Sequence, residues 1–528
     1  QQGHYLGSVS NVRGDNRWHH VEVDLLERLQ KMSYRPGLYR QQNMVLADYG
    51  HRAMAPGAYY HVDNFRPIPL VSRHTRSGFR VEAHDAAGIA GYSFVWSEKP
   101  EQEPDDKVDD GEPLALPENP PEPRAYLHIK ARDRAGNWGP TSHILFRTDT
   151  GAPRLANASP AEGAKSASST ISFRVTDEGA AVDPEKLTVK IDGRTYGPAS
   201  RGVDYSPASG DFKWDWVDGA PRDQKGIPNG QKINVEVAAT DFAGNTAEPT
   251  TWSWTMDYSR DKRSPTVPEV SCATMPTKAW TSFETGTGDW RPMRNDHWGA
   301  NIKRIARDRK TGDHCLRISA KRSRSFMNVY AHRGAYDLTK FPLVSFEYLI
   351  PKAARFNMFV RLHGKWHEIP ITSPQNKWKK LGKAEGIKAD GKWRQVTIDL
   401  RRIVRDAYPN AKKLRVQNLA FGDNSRHNSR KSYWLVDNFL ISGYGEPNAR
   451  FAWSARDITG IAGYAAGLVE KSTGGLAEKI THKGEEGAFT IEKPGSHWLK
   501  VKARDNGGNW GPSVTMPYVV KPESKEKQ

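Results

Sequence analysis

The stretch ARDRAGNWGP fills positions 131–140, and ARDNGGNWGP returns at 503–512 with two residues changed. A third relative, VAATDFAGNTAEP, lies at 237–249. Each copy closes an alternating apolar run and ends in Asp-x-[Ala/Gly]-Gly-Asn. An Asp at a strand end accepts main-chain N–H bonds in an Asx turn, Gly supplies a positive φ, and Asn tolerates the left-handed region. The motif therefore predicts a hairpin corner, with Trp138 and Trp510 packed over it and Pro140 and Pro512 setting the exit strand. This structural role outweighs a catalytic one.

The likeness extends outward from the motif. FRVEAHDAAGIAGY (79–92) faces FAWSARDITGIAGY (451–464), and YYHVDNF (59–65) faces YWLVDNF (433–439). YLGSVSNVRGDNRWHHVEVDL (5–25) likewise faces KLGKAEGIKADGKWRQVTIDL (380–400). A period this long marks an array of modules rather than a solenoid. In this register residues 1–67 correspond only to the C-terminal half of a module that is complete later in the chain, so the sequence is expected to begin inside a domain.

Short β-branched or aromatic runs with period two fill the chain, among them FRVEA, ISFRVT, LTVKIDG, KINVEVAA, TWSWTMD and VSFEYLI. Helical periodicity is confined to 25–32 and 400–407. The fold class predicted is all-β, a tandem of β-sandwiches. The 528 residues carry a formal net charge of +17, and 17 Trp, 19 Tyr and 17 Phe supply the cores. No apolar run is long enough to span a bilayer. Positive charge attracts polyanions, yet no RNP, helix-turn-helix or zinc pattern accompanies it. Basic runs gather between 303 and 415, and an acidic, Pro-rich insert occupies 98–122. These read either as solvated surface or as an acidic arm that docks on a basic module of a neighbouring copy. The two cysteines, Cys272 and Cys315, form a disulfide or remain two unpaired thiols.

The strand, Asp-x-[Ala/Gly]-Gly-Asn corner and Pro-containing exit resemble the last hairpin of bacterial immunoglobulin-like or fibronectin-III-like domains. The resemblance covers 68–150, 151–260 and 446–520, and such domains serve as spacers. Between them TSFETGTGDW (281–290), GDHCLRIS (312–319), AYDLTKFPLVSFEYLI (335–350), FNMFVRLHGKWHEI (356–369), KWRQVTIDL (392–400) and YWLVDNF (433–439) follow one another in order. This series resembles the jelly roll of carbohydrate-binding modules and galactose-binding-like domains, including the family 11 type. It gives a complete module over 261–445, a half module over 1–67 and a charged tail at 521–528.

That resemblance implies a structural calcium held by Glu284 and Asp437, with Asp63 the counterpart in the half module. The alternative for Asp437 is a strand cap. It also implies sugar recognition on a concave sheet lined with aromatic and polar side chains. In FNMFVRLHGKW, period two puts Phe356, Met358, Val360 and Leu362 on one face. Asn357, Phe359, Arg361 and His363 fall on the other, which with Trp366, His332 and Arg333 forms the candidate glycan surface. An ordinary solvated face with a core Trp is the competing reading.

No nucleophile elbow, zinc-protease helix, phosphate loop or dinucleotide fingerprint occurs, and no carboxylate pair stands out for glycoside hydrolysis. No organic cofactor is expected. Arg13-Gly14-Asp15 and the sequon Asn157-Ala158-Ser159 read as ordinary loops. The expected function is a non-catalytic extracellular or cell-surface array for adhesion or carbohydrate binding. Its partner would be a polysaccharide or cell-surface glycan, with an anionic one ranked above nucleic acid. Self-association and a longer parent chain remain open. The alternatives are a building block of a surface layer, fibre or sheath, and the accessory region of a larger secreted polysaccharide-degrading enzyme.

Overall fold

The computed structural model describes residues 23, 25, 70–71, 81–109, 117, 120–294, 299–307, 314–324, 326–372, 378–423, 427–470 and 474–522. The half module at 1–67, with Asp63 and the Arg13-Gly14-Asp15 tripeptide, lies outside them, as does the helix expected at 25–32 beyond Leu25. The chain divides into two compact units. One comprises Gln1–Arg222 with Asn229–Asp257, the other Asp223–Pro228 with Tyr258–Gln528.

In the first unit a four-stranded sheet runs Leu70–Val71, Ser142–Thr148, Arg124–Asp133, Ile89–Ser97, its first pair parallel and the others antiparallel. Leu127 and Phe146 anchor its core, with the Trp96 ring 5.1 Å from Phe146. The described part of the acidic insert folds back on this same sheet. Lys130 pairs with Asp106 at 2.6 Å, and Ser93 donates to Asp105. Asp105 and Asp106 are thus engaged within their own module.

The next module is an Ig-like sandwich of four and five strands. One sheet runs Val203–Ser206, Asp211–Asp215, Thr170–Thr176, Arg154–Ser159. The other runs Lys165–Ser166, Thr250–Met256, Lys232–Ala238, Thr188–Ile191, Arg194–Tyr196. Strict alternation builds it: Ile233, Val235 and Val237 of KINVEVA are buried while Lys232, Asn234 and Glu236 face outward or lie at the rim. Phe173 stacks on Phe212 at 4.7 Å and meets Trp252 edge-on at 5.9 Å between the sheets.

The second unit holds a jelly roll and a last Ig-like sandwich. One jelly-roll sheet runs Ala300–Ala306, His314–Ala320, Tyr433–Ser442, Leu343–Leu349, Arg394–Asp399, with Thr277–Thr281 also on Tyr433–Ser442. The facing sheet runs Arg291–Pro292, Val329–Asp337, Arg415–Gly422, Asn357–Leu362, Lys365–Ile369, Lys379–Lys380. Trp290, Phe346, Phe356, Phe421 and Trp434 interlock between them. The helix expected at 400–407 is present, capped where the Asp399 carboxylate accepts from the Arg402 N–H.

The division drawn between 445 and 446 is not the one that strand pairing makes. Glu269–Cys272, which precedes the jelly roll, pairs antiparallel with Asn448–Ser454, which follows it. Together with Glu486–Thr490 they form one sheet of the last sandwich, opposite Ile461–Val469, Gly495–Asp505 and Val514–Val520. The jelly roll is thus an insertion within an Ig-like module. Met275 and Leu440, from its two ends, pack in the sandwich core beside Phe451, Trp453 and Tyr518. Cys272 and Cys315 lie on different sheets of this unit, and both are free. Burial pushes the Cys315 thiol up to about 12 and raises that of Cys272, which disfavours the thiolate of each.

The corner motif has the expected hairpin with one difference. Gly136, Gly244 and Gly508 take φ of 95°, 90° and 98°, but the Asn residues keep ordinary φ. Asn137 instead donates both its N–H (2.8 Å) and its side-chain amide (2.9 Å) to the Asp133 carboxylate. Trp138 pairs back to Arg132 across the corner, under Lys130 at 5.1 Å.

Candidate functional site

The sheet containing Asn357–Leu362 turns Met358, Val360 and Leu362 into the jelly-roll core, as period two requires. Its other face carries two rows across four strands. Register sets Tyr330, Ala420, Phe359 and Glu368 side by side in one, and Arg333, Asn418, Arg361 and Trp366 in the next.

Over these rows lies an aromatic strip. Trp366 and Trp378 stack at 5.8 Å with 23° between ring planes, and Tyr330 meets Trp366 at 6.2 Å. All three are half-buried. Arg333 and Arg361 are exposed at its margin, and among the described residues neither forms an ion pair. Arg333 lies 5.8 Å from the Tyr330 ring, and Arg361 donates to the Gly364 carbonyl. Half-exposed rings with flanking donors can take the apolar face of a sugar while binding its hydroxyl or acidic rim.

The seven residues expected on this face separate into three groups. Arg333, Arg361 and Trp366 are there. Asn357 and Phe359 share the face but are covered, both fully buried. Phe359 is closed over by Trp378, 4.9 Å away edge-on. Asn357 accepts from the Ile371 and Thr372 N–H groups and donates to Glu368 at 3.0 Å, so it clamps a turn. His332 and His363 lie elsewhere. A bulge between Tyr330 and His332 sets His332 opposite the core residue Leu419. Its ring, 5% exposed, packs edge-on to Tyr336 at 5.6 Å, and burial lowers its pKa. His363 forms the two-residue hairpin turn with Gly364, at φ of 46° and 79°. Tyr330 and Trp378 were not singled out from sequence. Trp378 stands in the run KWKK, where its neighbours advertise charge, and Tyr330 opens the YAHRG segment, where His332 and Arg333 carry the more conspicuous chemistry.

Glu284 and Asp437 reach the same end of the jelly roll with a third carboxylate, Glu347. Arg307 bridges Glu347 and Asp437, with its guanidinium 4.0 Å over the Trp393 ring. Glu284 accepts the His314 N–H on both oxygens at 3.1 Å. As arranged, the pair does not suit calcium, since a protein cation already neutralises Asp437.

No family model and no curated protein matches the chain. Among solved structures it is similar to the glycoside hydrolase domain of Endo-D from Streptococcus pneumoniae R6, at 13% identity and TM-score 0.20, covering 46% of this chain and 38% of that one. It is similar to carbohydrate-binding modules of the β-sandwich superfamily at 11% and 0.15, covering 56% and 99%. The fibronectin(III)-like modules of Clostridium thermocellum CbhA match at 10% and 0.19, covering 36% and 90%. Likeness at these scores carries no argument about activity, and the site is read from its own residues. The chain is an all-β array of tandem sandwiches, jelly roll and Ig-like.

Proposed function

We propose that the chain is a binding array rather than an enzyme, acting outside the cell, with the outer face of the jelly roll as its glycan-binding surface and the Ig-like sandwiches as spacers. The observation that carries this reading is the half-exposed strip Tyr330, Trp366, Trp378, bracketed by Arg333 and Arg361. A solvated face has no reason to hold three large rings at its surface, and a core would enclose them. The arginines, in a chain of net charge +17, favour a glycan bearing carboxylate or sulfate groups.

The test is binding of the whole chain to neutral, uronic and sulfated glycans, beside Trp366→Ala and Trp378→Ala. Saturable binding lost in both variants supports the reading. Binding that tracks only polymer charge, or survives both substitutions, overturns it.

A further inference from the structure

Six aspartates outside the jelly roll form two triads, Asp149, Asp177, Asp241 and Asp261, Asp457, Asp505. In each, carboxylate oxygens from all three residues lie within 4.8 Å of one another. We propose that each triad is a calcium site and that the described chain binds two calcium ions.

The triads arise from the same three places in two Ig-like sandwiches, one in each compact unit. Asp149 and Asp261 come from the chain that leads into the sandwich. Asp177 follows the strand Thr170–Thr176, and Asp457 follows Asn448–Ser454. Asp241 and Asp505 are the aspartates of the corner motif. In both sandwiches the motif Asn reaches back to the leading segment: Asn245 donates to the Asp149 carbonyl at 3.2 Å, and Asn509 to that of Asp261 at 3.4 Å.

Burial supplies a second, independent observation. Asp149 is 4% exposed and Asp505 1%, and one oxygen of each, Oδ2, is sealed from solvent with no hydrogen-bond donor. No lysine or arginine pairs with any of the six among the described residues. A carboxylate oxygen closed to solvent and without a protein donor calls for a cation or a proton. A glycine also flanks each leading aspartate. A Cβ on Gly179 would come within 2.3 Å of the Asp149 carboxyl, and one on Gly507 within 2.6 Å of that of Asp261.

The donors are all oxygen, which selects a hard cation over zinc or copper. Calcium accepts six to eight oxygens in irregular geometry and can complete its shell with carbonyls and water, whereas magnesium demands a regular octahedron. The third copy of the motif supplies an internal contrast. Asp133 and Asp85 sit in partly and fully exposed positions, outside any such triad among the described residues. The corner alone therefore does not make the site. Calcium would tie the leading chain to two loops of the sandwich it enters.

Isothermal titration of the chelator-treated whole chain with calcium chloride, with magnesium chloride as comparison, tests this. The wild type should take up two calcium ions, Asp177→Asn and Asp457→Asn one each, and the double variant none. Circular dichroism checks that the variants fold. The wild-type titration stands without any variant: uptake of fewer than two ions overturns the proposal, as does a folded double variant that still binds two.

Discussion

Asn245 donates its side-chain amide to the main-chain oxygen of Asp149, 96 residues earlier, while its own N–H and amide hold both oxygens of Asp241 at 2.8 Å. Asn137, in the same motif, makes only the local pair and is exposed. Asn245→Ala should thus strand buried acceptors and cost about 1–3 kcal/mol, whereas Asn137→Ala should cost less than about 1 kcal/mol. Denaturant unfolding of the two variants measures the difference, and equal losses would refute the role given to burial.

The pairing of Glu269–Cys272 with Asn448–Ser454 fixes where the last sandwich can be cut. A fragment starting at 446 loses an edge strand together with Met275, Thr274 and the segment around Thr266, which exchanges hydrogen bonds with Arg456. It should lack a cooperative thermal transition that a fragment starting at 258 retains. Two fragments of equal stability would contradict the insertion.

Among the described residues Arg307 is the cation that bridges the buried Glu347 and Asp437. Removing it in Arg307→Met leaves two carboxylates facing each other without a cation, a loss of about 3–5 kcal/mol. Arg307→Lys should recover only part of this, because an ammonium lacks the planar fork that spans two carboxylates. Full recovery would show that the bridge has no geometric requirement.

His128 is fully buried, with its Nδ1 2.7 Å from that of His143 and its Nε2 2.9 Å from the Ser97 hydroxyl. Burial lowers its pKa, and the neighbouring His143 lowers it further. The folded protein therefore binds this proton less readily than the unfolded chain. Stability is complete above the unfolded value near pH 6.5 and declines as pH falls below it towards the lowered folded value. The thermal transition of the first module should drop between pH 7.5 and 5, and the drop should shrink in His143→Asn. An unchanged drop would remove His143 from the explanation.

Local chemistry was legible in the sequence and long-range placement was not. Alternation in KINVEVA, the hairpin corner and the order of jelly-roll strands all follow from neighbouring residues. His332, taken from YAHRG together with Arg333, falls on the other face, because one bulged residue exchanges the faces of a strand and a bulge leaves no mark in the sequence. The period-two rule places Arg361 correctly. It could not show that Phe359 is roofed by Trp378, which comes from an edge segment after the next hairpin. The acidic triads are not legible in the sequence, because each draws its members from three distant places in the chain.

The most direct measurement is glycan binding by the whole chain at about 0.15 M salt, where exposed charges more than about 8 Å apart are screened. It should include Trp366→Ala, Trp378→Ala and Phe359→Ala. Selective, saturable binding is expected, lost in both Trp variants while each still folds. Phe359→Ala should lose stability, by about 3–5 kcal/mol. Absence of selective binding, or full binding by both Trp variants, would contradict the assignment of the aromatic strip as the working surface.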